Sequence, residues 1–170
     1  FTLSSESSKI SNYTYNELVK VTVNKKNLTV TAIDQTKVYG QADPVLTFET
    51  VGLVNGETQA VLFGELEREA GEDVKDGPYA IEQGSLSSNN YEITFNSAEL
   101  EITPKELVVT QKEALTYNGS EQVVKLLIEG IEFSDKIEFD EITQKDAVID
   151  ELFTLSSESS KISNYTYNEL

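Results

Sequence analysis

Apolar side chains recur at every second position in short runs along most of this chain, and each run stops at Gly, Pro, Asn or Asp. A two-residue period places alternate side chains on opposite faces of an extended backbone, so each run predicts a half-buried β-strand. Leu28 to Ile33 is the clearest, with β-branched residues dominating it, and further strands are expected at Leu46 to Val51, Ala80 to Ile81, Tyr91 to Phe95, Leu100 to Ile102, Leu107 to Val109, Val123 to Ile128, Lys136 to Phe139 and Val19 to Val23. Pro44, Pro78 and Pro104 fall where strands should begin or end, because proline cannot donate to an inner ladder. Two stretches carry a helical signal: Glu57 to Phe63, with Ala60, Val61 and Leu62 ahead of Gly64, and Lys145 to Leu152, with Ala147, Val148 and Leu152 able to share a face. The pattern predicts a mainly β fold built from two small β-rich modules, β-grasp-like or β-sandwich, in tandem. Each holds at most one short helix, and the arrangement is extended and rod-like.

Two nested repeats define the modules. Residues 1 to 18 recur unchanged at 153 to 170, which points to near-identical tandem repeats in the gene. Inside that period, Lys26-Asn27-Leu28-Thr29-Val30-Thr31 lies over Lys105-Glu106-Leu107-Val108-Val109-Thr110. Tyr39-Gly40 then falls on Tyr117-Asn118-Gly119, Gly52-Leu53 on Gly130-Ile131, and Asn90-Tyr91 on Asn164-Tyr165 or its duplicate Asn12-Tyr13. The expected organisation is the C-terminal part of a preceding B-type module over 1 to 25, module A over 26 to 104, and a B-type module over 105 to 170 that lacks its closing strand. That strand is present in the other copy as Val19 to Val23, so Val19, Val21 and Val23 are expected to complete the B-type sheet of a second molecule, head to tail. The junctions at Thr103-Pro104-Lys105 and Asn24-Lys25-Lys26-Asn27 are too short for a flexible linker.

Composition narrows the chemistry. There is no Cys and no His among the 170 residues, which removes disulfides, thiol nucleophiles, the usual zinc sites and every His-based triad. No catalytic residue, cofactor or metal is expected, and the chain reads as non-enzymatic. Thirty acidic against 13 basic residues give a net charge of −17, which repels nucleic acid and anionic bilayers. No apolar run approaches the roughly 20 residues of a membrane-spanning helix, so no membrane insertion is expected. The absence of Met, even at position 1, reads as an internal stretch of a longer chain. Glu65, Glu67, Glu69, Glu72, Asp73 and Asp76 form one acidic cluster and Glu138, Asp140, Glu141, Asp146, Asp150 and Glu151 another; neither has the spacing of a calcium loop, and both are expected to be solvated faces.

The landmarks of module A carry a family resemblance. Thr36-Lys37-Val38-Tyr39-Gly40, Asp43-Pro44, Gly52-Leu53, Asn55-Gly56-Glu57-Thr58, Gly77-Pro78-Tyr79, Gly84-Ser85-Leu86, Asn90-Tyr91 and Leu100-Glu101-Ile102 together resemble the MBG family of the YGX type, found in tandem in very large bacterial surface proteins. Module B resembles the related YDG-like type more loosely, with Tyr117-Asn118-Gly119 at the matching place. The resemblance implies an extracellular stalk or adhesin repeat on a bacterial surface, projecting a distal binding domain, and it brings no catalytic residues. The alternative is a repeated low-affinity module for host glycans or mucins. The expected partners are neighbouring repeats of the same protein.

The residues singled out have a physical reading of their own. Tyr39-Gly40 ahead of Asp43-Pro44 is a fold-defining turn, and Gly77, Gly84 and Gly119 punctuate in the same way. Tyr13, Tyr79, Tyr91 and Tyr165 are expected as core aromatics with their hydroxyls at the rim, and Tyr15 and Tyr167 as exposed.

Overall fold

A computed structural model describes residues 20–147 and 156–167. Module A is two facing sheets. In the first, the strand Lys26–Ala32 is central, paired antiparallel with Phe48–Val51 and parallel with Tyr91–Asn96. In the second, the order is Gln35–Val38, Ala98–Thr103, Tyr79–Glu82 and Glu67–Arg68, the first pair parallel and the others antiparallel. The period-two pattern sends Leu28, Val30 and Ala32 inward from one sheet and Ile81, Leu100 and Ile102 inward from the other, and all six are buried in one core. A small ladder of Leu62–Phe63 with Ser87–Ser88 closes the side.

Module B repeats the first of these sheets. Lys105–Gln111 is central, antiparallel to Leu126–Glu129 and parallel to Tyr165–Tyr167. Even the register matches, since Lys26 stands opposite Tyr91 and Lys105 opposite Tyr165. A separate short ladder joins Gln122–Val123 to Thr143–Gln144. Leu107, Val109, Ile137 and Tyr165 of module B belong to the same buried cluster as the core of module A, so the apolar interior runs through the junction.

Several expectations change on contact with the structure. The helical signal at Glu57 to Phe63 is only a 3-10 turn over Gln59–Val61, capped by Thr58, whose hydroxyl accepts from the Ala60 amide. Leu62 and Phe63 are already pairing with Ser88 and Ser87, which leaves the turn no room to propagate. The second helical signal lies largely outside the described residues. Val123 to Ile128 is broken into two strands in different sheets, and Lys136 to Phe139 forms no strand, although Ile137 is buried. Tyr167 is half-buried and packs edge-on against Phe139 at 4.8 Å between ring centroids, where exposure was expected. Val21 and Val23 lie outside any strand and are 78% and 89% exposed; Val19, Tyr13 and Tyr15 lie outside the described residues.

Candidate functional site at the module junction

The strand Ala98–Thr103 ends at Thr103 and the strand Lys105–Gln111 starts two residues later, with Pro104 alone between them. A joint this short brings the end of module A directly onto the start of module B, and two clusters of side chains fill the contact.

The first cluster is built around Tyr39. Its amide donates to the Thr103 carbonyl at 2.9 Å, which fixes the turn beside the last strand of module A. Its ring, 2% exposed, meets Tyr165 and Phe133 of module B edge-on at 5.3 and 5.4 Å between centroids. The hydroxyls of Tyr39 and Tyr165 both donate to Oδ2 of Asp135, at 2.8 and 2.7 Å, and the Glu132 amide donates to the Tyr165 oxygen at 3.0 Å. Burial, reinforced by the Asp135 charge, pushes the Tyr39 hydroxyl far above its ordinary range. The same causes push Tyr165 up to about 12. Both phenols therefore stay protonated donors at any physiological pH.

Gly40 follows at φ +84°, where a Cβ would run into the side chain of Glu132. Glu132 in turn pairs with Lys105, the first residue of the central strand of module B. Gly40→Val is expected to strain this turn and push Glu132 aside, loosening the joint while module A stays folded. Faster amide exchange at Tyr165, with the exchange at Leu28 and Leu100 unchanged, is the readout.

The second cluster joins two 3-10 turns, Val74–Asp76 of module A and Ile162–Asn164 of module B. Asn164 is fully buried, donating from Nδ2 to Asp73 at 2.8 Å and accepting from the Val74 amide at 2.8 Å. Lys161 Nζ reaches both oxygens of Asp73 at 2.6 and 2.7 Å. Lys161 and then Asn164 hold the Asp73 carboxyl below its ordinary range, against the smaller opposing effect of burial. Tyr79 braces the loop from behind, its hydroxyl donating to the Asp73 carbonyl at 2.7 Å.

Behind this loop sits a charge cluster. Lys37, whose side chain is 3% exposed, points inward from the strand Gln35–Val38 to Asp43 at 2.6 Å and Glu72 at 2.7 Å. Arg68 grips Asp43 through Nε at 2.8 Å and a terminal nitrogen at 3.1 Å, reaches Glu72 at 2.5 Å, and lies over the Tyr79 ring at 5.6 Å. Burial alone would lower the Lys37 ammonium, but Asp43 and Glu72 together raise it. Arg68 leads in holding the Asp43 carboxyl below its ordinary range, with Lys37 adding to it against burial. Two cations and two carboxylates thus fix the loop that presents Asp73.

The residues picked out by sequence therefore divide. Tyr39 and Gly40 meet module B; Asp43, beside Pro44, and Tyr79, beyond Gly77, support the loop that does the same. Gly84 turns elsewhere in module A, against the Glu65 backbone. Asn90 and Tyr91 lie at the opposite end of module A, where the Tyr91 hydroxyl donates to Glu57 and accepts from the Val54 amide. Tyr117 and Gly119 are exposed in module B. The rings of Tyr39, Tyr79, Tyr91 and Tyr165 are buried and offer no face to a sugar. Glu72 and Asp73 are ion-paired rather than simply solvated, because Lys37 and Lys161 reach them from distant parts of the chain and Arg68 from four residues before Glu72. Lys37, Arg68, Asp135 and Lys161 were not legible as site residues, since isolated charges in polar stretches carry no periodic signal. Asn164 had one faint signal, its place in the repeated Asn-Tyr pair.

The model of one protein family, the MBG domain of the YGX type, matches residues 28–101. Such domains are repeat modules of surface proteins. No curated protein and no solved structure matches the chain. No helix among the described residues is long and apolar enough to cross a membrane.

Proposed function

We propose, from the match of residues 28–101 to the model of the MBG domain of the YGX type, that this chain is a stalk segment of an extracellular bacterial surface protein, whose tandem modules hold a distal binding domain away from the cell. The observation that carries the reading is the joint. A spacer must transmit orientation from one module to the next, and a flexible linker cannot. Here strand follows strand across Pro104, the apolar core is continuous, and a buried asparagine and a buried tyrosine bridge the modules. The net charge of −17 adds mutual repulsion between neighbouring fibres. The role asks for no cofactor and no catalytic group.

Small-angle scattering on the 170-residue chain tests this reading. A compact globule of this length has a radius of gyration of roughly 15 to 16 Å. The expected result is an elongated profile with a value above about 20 Å, since two modules stacked end to end add their strand lengths. A profile at the compact value would sink the stalk reading.

A further inference from the structure

The socket of module B that receives Tyr39 has a twin in module A. In module B it is a tight turn with two consecutive positive-φ residues, Phe133 and Ser134, closed by the Asp135 amide donating to the Glu132 carbonyl at 2.9 Å. Tyr165 completes it, its hydroxyl accepting from the Glu132 amide and donating to Asp135. In module A, Asn55 and Gly56 are the consecutive positive-φ residues, and the Glu57 amide donates to the Val54 carbonyl at 3.0 Å. Tyr91 completes that one, accepting from the Val54 amide at 3.2 Å and donating to Glu57. Every group that holds Asp135 in place to receive the Tyr39 hydroxyl is reproduced around Glu57, at the end of module A away from module B.

The plug is duplicated as well. Tyr39 precedes Gly40 at φ +84°, and Tyr117-Asn118 precedes Gly119 at φ +81°. Tyr39 is 2% exposed because module B covers it, whereas Tyr117 is 62% exposed. At the socket, Val54 is 38% exposed and Asn55 and Gly56 are exposed. The spacing also agrees, for Val23 precedes Leu28 by as many residues as Ile102 precedes Leu107. A closing strand of module B therefore reaches the opening strand of a following module A over the distance already bridged at Pro104.

We propose that Tyr117 is the counterpart of Tyr39 at the next joint: in a tandem array the Tyr117-Asn118-Gly119 tip of module B docks into the Val54–Glu57 and Tyr91 socket of a second copy of module A, its hydroxyl donating to the Glu57 carboxylate. One side chain differs in a telling way. Asn55 stands where module B has Phe133, so this joint lacks one edge-to-face ring contact and is the softer of the two kinds in the array. The fibre then alternates stiff and compliant joints.

The partner's identity rests on the array reading; scattering tests that reading, whereas tyrosine nitration tests this one. The measurement compares the 170-residue chain with one continued from Leu170 by a second copy of residues 19–104, using tetranitromethane and peptide mass spectrometry. In the 170-residue chain Tyr117 should be nitrated readily and Tyr39 protected. In the continued chain Tyr117 should react about tenfold more slowly or less, as a docked residue exposed only on opening does. Asn55→Phe in the second copy should deepen that protection, and Glu57→Ala in the same copy should remove most of it. Equal nitration of Tyr117 in the two chains would overturn the proposal, as would protection indifferent to both substitutions.

Discussion

Leu100→Asp is expected to unfold module A outright, while Glu101→Gln, one residue along the same strand, leaves its melting unchanged within about 0.5 kcal/mol. Leu100 is fully buried in a strand flanked on both sides, opposite Tyr79 on one neighbour and Gln35 on the other, and Glu101 points to solvent. Truncating a buried leucine to alanine already costs about 2 to 5 kcal/mol, and an unpaired carboxylate in the same place costs more. Small domains hold only about 5 to 15 kcal/mol in total. Circular dichroism should therefore show no cooperative transition of module A in the Leu100→Asp chain. Similar melts for the two variants would mean that the faces of this strand are reversed.

Asn164→Leu is expected to part the modules without unfolding module A. The substitution keeps the number of side-chain heavy atoms but leaves the Val74 amide without its acceptor, at about 1 to 3 kcal/mol, and takes from Asp73 Oδ1 one of its two donors, Lys161 remaining. Calorimetry should resolve two transitions where the native chain melts as one coupled unit. The same joint should open in acid. Lys161 and Asn164 hold the folded Asp73 below its ordinary value of 3.8, so the unfolded chain takes up this proton first. The stabilisation is then fully present well above pH 3.8 and is lost as the pH falls through that value and below it. Protection of the Tyr165 amide relative to an unprotected one, followed downward from pH 6, should be lost only in that acid window, and in Asp73→Asn it should no longer track that titration. An unchanged acid profile in Asp73→Asn would show that another group governs the joint.

The alternation of Leu28, Val30 and Ala32, of Leu100 and Ile102, and of Leu107 and Val109 was enough to predict the central strands and their inward faces, because a pleated backbone imposes period two on any strand with one buried side. The inner repeat was readable for the same kind of reason: Lys26 and Lys105 open equivalent strands and Tyr91 and Tyr165 stand opposite them, so matching residues occupy matching registers. The strand Gln35–Val38 was not readable. Its inward lysine is tolerated because the carboxylates of Asp43 and Glu72 meet it there, and no periodic pattern announces one partner in an irregular loop and another 35 residues on. The helical signal at Glu57 to Phe63 gave way in turn to strand pairing with Ser87 and Ser88. The sequence by itself determined the β class, the modular repeat and the shortness of the joint, all of which are written in local spacing. Only the tertiary structure decided that Tyr39 is a plug rather than simply a turn residue, and that Asp73, Lys161 and Asn164 form a clamp, because a hydrogen bond across some 90 residues depends on where two loops arrive in space.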